Sequence, residues 1–169
     1  NSIAIENIIS VHYFQYMSDF SFPGESHDFW ELVCVDRGEI IAVAGDRQLA
    51  LKKGNILFHK PNEFHNVLTN GRISPSLVVI GFDCHSPCMK AFEDQLMNVQ
   101  DTEKELLAKI IVEARNTFDG RLDDPYQEKL VFLEKQASFG APQLIRHYLE
   151  QLMIHLYRRY FSYPLPVRT

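Results

Sequence analysis

The first half of the chain alternates apolar and polar residues in short β-prone runs that turn residues separate. This pattern, with no helix-length periodic segment between the runs, is typical of an all-β sandwich or barrel. The segment Ala44-Gly45-Asp46 fits a hairpin turn, because glycine tolerates positive φ and aspartate caps its own backbone. We therefore predict strands at Ile8 to Tyr16, Phe29 to Asp36, Glu39 to Ala44, Arg47 to Leu51, Ile56 to Lys60, His65 to Thr69 and Ser76 to Phe82.

After Pro87 the spacing of apolar residues becomes helical. Asp101 to Phe118 predicts an amphipathic helix, with Thr102 and Glu105 placed as a capping box. Between Gly120 and Gly140 the pattern is mixed, and a short helix is expected around Gln127 to Lys135. Another short helix is expected before Asp101, with its apolar positions at Met89, Phe92, Leu96 and Met97.

Ala141 to Phe161 predicts the strongest helix of the chain. Pro142 lies in its first turn, and Arg158 and Arg159 lie near its end, where basic side chains interact favourably with the helix dipole. We expect its broad apolar face to pack on the barrel or the earlier helix and, in part, against a second subunit. That face comprises Ile145, Tyr148, Leu149, Leu152, Met153, Leu156 and Tyr160.

Composition narrows the function classes. The chain has 169 residues and a net charge of -5, the opposite sign to that of a typical nucleic-acid-binding surface. Its 3 cysteines include no CxxC pair, so we expect free thiols in a reducing cytoplasm rather than disulfides or a zinc knuckle. The sequence contains neither a long apolar run nor a secretory signal pattern, so no membrane association is expected.

His27-Asp28-Phe29-Trp30-Glu31 is the segment richest in potential chemistry. In a strand, His27, Phe29 and Glu31 leave the same face. If that face lines the barrel, the imidazoles of His27 and His65 and the Glu31 carboxylate converge in an apolar cavity, which is the general form of a small-ligand or metal site. Aromatic side chains in β-runs more often belong to the core than to a pocket. Those that could line the pocket are Phe14, Tyr16, Phe29, Trp30, Phe58 and Phe82, of which Phe29 is the best candidate.

Three interpretations of His27, Glu31 and His65 are open at this stage. They could hold Fe, Mn, Ni or Zn and leave open positions for a substrate. They could instead hydrogen-bond a polar effector inside the cavity. Both histidines could also be structural, with their hydrogen bonds satisfied near the barrel rim and Glu31 paired locally.

Two segments of the chain resemble the cupin motifs. His27, Glu31 and Gly38 are similar to the first motif, and the segment from Gly54 through Pro61 to His65 is similar to the second. The chain departs from the pattern in that Glu25 replaces the first histidine, Asn62 replaces a glycine and the closing asparagine has no match. Asn62 can still adopt the left-handed conformation that such a turn requires.

Residues 8–160 resemble the amino-terminal domain of AraC/XylS-type transcription factors. The resemblance rests on His27 to Val33 leading to Gly38, and on Phe139 to Arg146 followed by Tyr148 to Leu152. It implies a cupin barrel that senses a small effector, helices that mediate dimerisation and a separate carboxyl-terminal domain with two helix-turn-helix units. Sensor domains of this family usually lack a catalytic metal, and no cofactor is expected.

The expected fold is therefore mainly β with C-terminal α: a cupin-like double-stranded β-helix, or jelly-roll barrel, followed by two to four helices. We expect the effector-binding barrel in residues 1–85 and a helical dimerisation segment in 86–162. The prolines at Tyr163-Pro164-Leu165-Pro166 suggest that 163–169 begins a linker to an absent DNA-binding domain.

The expected function is effector sensing by a non-enzymatic regulator. We expect His27, Phe29, Glu31, His65 and Phe14 to bind the effector, for which a sugar or another polar metabolite is a candidate. A homodimer is expected, with Ile145, Leu149, Leu152 and Leu156 in or near its two-fold interface. DNA would be bound only through the absent domain. The rival functions are a small metal-dependent cupin enzyme, such as a dioxygenase or an isomerase, and a passive scaffold with a filled barrel.

Overall fold

A computed structural model describes residues 2–15, 23–69, 71–119, 131–132 and 138–162. The strands of its first half are β1 (Ile5–Gln15), β2 (Trp30–Arg37), β3 (Glu39–Ala44), β4 (Arg47–Lys52), β5 (Asn55–His59), β6 (His65–Leu68) and β7 (Ser76–Cys84). They are followed by a 3₁₀ turn (Pro87–Phe92), β8 (Leu96–Asn98), α1 (Asp101–Thr117), β9 (Phe118–Asp119), β10 (Val131–Phe132) and α2 (Ala141–Tyr160).

The strands form the predicted barrel. A 5-stranded sheet has the order β1-β7-β2-β5-β8, and a 3-stranded sheet has the order β4-β3-β6. Side chains from both sheets meet in one buried cluster, in which Phe14, Val33 and Leu77 pack with Ile40 and Leu51. The mainly β, cupin-like jelly roll with C-terminal helices is confirmed. The predicted strands are also confirmed, with shifted ends, while Tyr16 lies outside the described residues.

Strand alternation gives the larger sheet two different faces. One face points into the barrel, and the other carries Trp30, Leu32, Phe58, Ile80 and Phe82. This outer face forms a second core with the apolar sides of α1 and α2. The same core joins the strands before residue 85 to the helices after it, so the predicted division between 1–85 and 86–162 stays a prediction. Within the described residues, no helix is long and apolar enough to cross a membrane.

The helix predicted from Met89 to Met97 is wrong in its second half. Asp94 has a positive φ of 59°, which ends the helical turn, and Leu96 and Met97 then pair with Leu57 and Ile56 as strand β8. The apolar spacing resembled a helix because the buried positions Met89, Phe92 and Met97 happen to lie three to five residues apart.

Two further helix details need correction. Helix α1 begins at Asp101, so Thr102 lies inside the helix and not at the capping position that a capping box requires. The helix expected at Gln127 to Lys135 falls largely outside the described residues. Its described part, Val131–Phe132, is a strand that pairs with Phe118–Asp119.

Helix α2 confirms the strongest helix prediction, and the structure shows where its apolar face lies. Ile145, Leu149, Leu152 and Leu156 are all 0 % exposed, because they pack within the chain on the outer face of the larger sheet and on α1. The prediction that these side chains lie in the two-fold interface itself is therefore corrected, since their surface is already used inside one chain, while a position near such an interface stays a prediction.

Candidate functional site

The candidate site lies at one end of the barrel interior, where polar side chains replace the apolar ones. In the larger sheet, Ser10 pairs with Gly81, Gly81 with Glu31 and Glu31 with His59, so these residues form one row across four strands. The next interior row contains His12, Val79, Val33 and Leu57. The barrel interior thus changes from polar to apolar within a few residues along each strand.

The loop between β5 and β6 brings the second motif to this row. Asn62 has a φ of 65°, as predicted for the residue that replaces a glycine, and its N–H donates to the carbonyl of His27 at 2.7 Å. Glu25 and His65 form an isolated antiparallel bridge through two backbone hydrogen bonds of 3.0 and 2.9 Å. This bridge keeps residue 25 at the site, although glutamate replaces the first motif histidine there.

Four side chains converge at this end of the barrel. The Nε2 atom of His65 lies 3.0 Å from Glu31 Oε2 and 3.5 Å from Glu25 Oε1. The Nε2 atom of His27 lies 3.5 Å from Glu31 Oε1 and 3.8 Å from Glu25 Oε1. One ligand atom from each of these residues lies within 4.8 Å of all the others. We call Glu25, His27, Glu31 and His65 the four-ligand set.

Backbone carbonyls hold both imidazoles of this set in place. His27 Nδ1 lies 3.0 Å from the carbonyl oxygen of Phe29, and His65 Nδ1 lies 3.0 Å from that of Glu63. Because a carbonyl can only accept, each Nδ1 carries a proton and donates. Each Nε2 therefore faces the carboxylates, with a lone pair when the imidazole is neutral.

His59 is a further site residue that our sequence analysis missed. Its ring is 1 % exposed and stacks on His65, with centroids 4.7 Å apart and an interplanar angle of 16°. Strand alternation would have found it, because residue 59 lies two positions from Leu57 and faces the interior with it. Together with the four-ligand set, His59 forms what we call the polar cluster.

Several nitrogens of the polar cluster are buried without a hydrogen bond. Among the described residues these are Nε2 of His27, Nε2 of His65 and both ring nitrogens of His59. The 3.0 Å approach of His65 to Glu31 is a charge contact that lacks the alignment of a hydrogen bond. Groups of this kind normally have partners when buried, so the cluster is chemically incomplete as it stands.

Burial and mutual charge decide the protonation states. Burial raises the pKa of Glu31, but His27 and His65 beside it outweigh burial and hold that pKa well below its usual range. Burial lowers the pKa of His65, but Glu25 and Glu31 outweigh it and raise the pKa. Burial, with the neighbouring charge of His65, lowers the pKa of His59 to about 4, so this imidazole is neutral near pH 7.

Phe29 forms an apolar wall of the site. Its ring stacks on His27, with centroids 3.7 Å apart and an interplanar angle of 5°. The ring occupies the space above Gly81, where an added Cβ would lie 2.8 Å from a Phe29 ring carbon and 2.8 Å from Ser10 Oγ. Gly81 therefore makes room for Phe29, which in turn fixes the plane of the His27 ring.

The other aromatic candidates lie elsewhere. Phe14 does face the interior, but it pairs with Leu77 in the apolar end, four residues along β1 from Ser10 and about 13 Å away. Phe14 therefore does not lie beside His27, and its role in effector binding stays a prediction. Trp30, Phe58 and Phe82 face the helices on the outside of the sheet.

A barrel with a buried polar cluster at one end of its interior has the general form of a small-ligand site. Residues 7–71 match the family model described as the AraC-like ligand binding domain. Curated relatives include the HTH-type transcriptional activators RhaS of Pectobacterium carotovorum and Pectobacterium atrosepticum, each 40% identical over 45 residues. That alignment covers 27% of this chain and 16% of each relative, so the chain spans only a small part of their length.

Two solved structures of ToxT from Vibrio cholerae share the fold across both the barrel and the helices. An apo variant of ToxT has a TM-score of 0.54 and 11% identity, and covers 96% of this chain and 58% of its own. ToxT with an unsaturated fatty acid bound has a TM-score of 0.50 and 9% identity, with 95% and 58% covered. Residues 7–71 are thus similar to the AraC-like ligand binding domain, as the sequence resemblance implied, and the likeness to ToxT shows a shared fold.

Proposed function

We propose that this chain binds its effector at the polar cluster and relays binding to a DNA-binding domain of the same regulator in the cytoplasm. The supporting observation is the set of buried imidazole nitrogens that lack hydrogen bonds among the described residues. Such groups cost stability when left unpaired, and a guest molecule could pair them. A few polar groups at the mouth of an apolar barrel are the general form of a ligand site. The proposed role is binding and not catalysis.

The charge of the site favours a neutral polar effector, such as a sugar. Glu25 and Glu31 contribute two carboxylates to the polar cluster, and carboxylates and imidazoles are good partners for hydroxyl groups. ToxT has been solved with an unsaturated fatty acid, whose carboxylate needs a cationic partner. An anionic effector is disfavoured here by like-charge repulsion.

Strand β1 offers a physical route from the site to the helices. Ser10 belongs to the site row, and the same strand begins at Ile5, whose N–H donates to Glu150 Oε2 of α2 at 2.9 Å. An effector that shifts β1 would change how α2 is held. Such a relay operates only if the effector binds the two arrangements with different affinity.

We also propose that the regulator is a homodimer, with contacts different from those predicted. Among the described residues, the large apolar side chains that remain exposed on the helices are Val112 of α1, at 55 %, and Leu144 and Tyr160 of α2, at 37 % and 41 %. Analytical ultracentrifugation would compare the wild type with Val112→Glu and Leu144→Glu. A wild-type dimer that either charge dissociates supports this assignment, whereas a wild-type monomer at tens of micromolar contradicts it.

A thermal-shift screen of this chain against neutral monosaccharides, sugar acids and unsaturated fatty acids tests the proposed site. A ligand at about a hundred times its Kd adds about 2.7 kcal/mol of stability, which raises the Tm by roughly 5–10 °C for a domain of this size. The shift should disappear in His59→Leu and persist in the matched control His85→Ala, whose ring is 77% exposed and pairs with Glu6. A shift that persists in His59→Leu would place the effector elsewhere.

The relay itself requires the full-length regulator. Its affinity for operator DNA should change when the ligand found in the screen is added, and the change should be smaller in Glu150→Gln, which weakens the contact to Ile5. DNA affinity that is unchanged by a ligand that demonstrably binds would refute the proposed relay.

A further inference from the structure

We infer that the four-ligand set binds one divalent first-row transition-metal ion between its two imidazoles and two carboxylates. The inference deepens the proposed function and rests on it, since the ion would lie where the effector enters. Glu25 is the residue that makes this site particular to the chain, because it supplies a second carboxylate where the cupin pattern has a histidine.

The distances within the set match those of ligands that share one ion. Bonds of about 2.0–2.2 Å place neighbouring donor atoms about 3.0–3.5 Å apart and opposite donor atoms about 4.2 Å apart. The nitrogen-to-oxygen distances of the set run from 3.0 to 3.8 Å. The four donor atoms therefore need no large movement to meet at one point.

The two imidazoles are already oriented as metal ligands. The backbone carbonyls of Phe29 and Glu63 accept from the Nδ1 atoms of His27 and His65, each at 3.0 Å. Histidines that ligate a metal typically donate their other ring nitrogen in this way, which fixes the tautomer and the ring orientation. Both Nε2 atoms are buried and have no hydrogen bond within the described residues.

Charge balance gives an independent argument. Metal ligation requires both imidazoles to be neutral and releases any proton that His65 holds in the free site. Glu25 and Glu31 then contribute a charge of -2, which a divalent cation neutralises. Glu31 is nearly buried, with 11% of its side chain exposed, and a buried carboxylate requires a compensating charge. The mixture of imidazole and carboxylate donors suits Mn, Fe, Ni and Zn rather than the soft ions that prefer thiolates.

Metal titration of the untagged, chelator-stripped chain tests the inference directly. Isothermal titration calorimetry with MnCl2 and with ZnCl2 should give one ion per chain, and the electron paramagnetic resonance signal of free Mn²⁺ should fall in the same proportion. Glu25→Gln keeps the shape of the side chain and should weaken binding by roughly tenfold or more. His65→Ala should weaken it further, while the control His85→Ala should bind like the wild type.

Glu25→His separates a lost ligand from a damaged fold. This variant restores the histidine of the cupin pattern and should recover binding of Zn²⁺, with a circular dichroism spectrum like that of the wild type. The absence of binding by the wild type would overturn the inference, as would binding that is equal in Glu25→Gln, His65→Ala and the wild type.

The metal measurement and the effector screen can fail independently. A chain that binds no metal but shows a His59-dependent shift with a sugar refutes the metal site and leaves the proposed function intact. A chain that binds one metal ion in this way but shows no ligand-dependent shift, with or without the ion, refutes the effector site and leaves the metal site standing.

Discussion

Replacing His59 with leucine should stabilise the ligand-free domain. His59 is 1 % exposed and neither of its ring nitrogens has a hydrogen bond among the described residues; the approach of Nδ1 to Glu63 Oε1, at 3.5 Å, lacks the geometry of one. Each such buried polar group costs about 1–3 kcal/mol, and an apolar side chain of similar volume removes that cost. The ring stack on His65 is lost in exchange, and stacks of this kind are worth about 0.5–1.5 kcal/mol. We expect a net gain of about 1–2 kcal/mol.

Urea denaturation followed by circular dichroism measures this gain. With an m value of about 2 kcal/mol/M, the midpoint should rise by roughly 0.5–1 M. Leu57→Ala is the matched control, because Leu57 lies two residues away on the same interior face and is 1 % exposed. Removing its side chain should cost about 2–5 kcal/mol. A midpoint that falls in His59→Leu would refute the reasoning, since it would mean that the nitrogens of His59 contribute to stability.

Three other predictions test parts of the structure around the site. Gly81→Ala should lower the free energy of unfolding by about 1–3 kcal/mol, because the new Cβ would press on the Phe29 ring. An unchanged midpoint in urea denaturation would contradict this prediction. Glu103→Ala should lower the free energy of unfolding by about 3–5 kcal/mol, since Glu103 is buried and Arg159 of α2 would lose its carboxylate partner. A decrease below 1 kcal/mol in urea denaturation would contradict this prediction. Burial raises the pKa of Cys34 from 9.0 to about 12, so the thiol should resist iodoacetamide at pH 8 until urea unfolds the chain. Because the unfolded chain loses this proton at a lower pH than the folded chain, the free energy of unfolding should fall as the pH rises from 9 towards 12.

Periodicity in the sequence predicted most of the fold, because it reports burial directly. Strands such as Glu39–Ala44 and the long helix Ala141–Tyr160 bury one regular face each, and their boundaries were close to the observed ones. Periodicity does not report which surface covers that face. The sequence pattern around Leu152 is the same whether a sheet or a second subunit covers this side chain. The structure shows that the larger sheet and α1 cover it.

The candidate site, like the fold, could be predicted only in part from the sequence. His27, Phe29 and Glu31 do lie together, but only Glu31 belongs to β2 (Trp30–Arg37), so the predicted strand alternation is not what groups them. His65 was placed by its position in the second motif. Glu25 was taken as a loss from the motif, because the sequence does not show the backbone bridge that brings it to His65. The sequence does not show that Phe14 lies away from the polar cluster, because alternation gives the face of a strand but not the position along it, which depends on the register between strands.

The register also explains how a binding event inside the barrel can reach the helices outside it. His59 faces the interior, while the preceding residue, Phe58, faces outward and packs against Phe82 and Phe92. The two side chains share one backbone and point to opposite faces, so a shift of the strand at His59 also moves Phe58, which lies in the core that holds both helices. Under the proposed relay, a guest that shifts the strand would favour one helix arrangement over another, since packed cores resist continuous deformation.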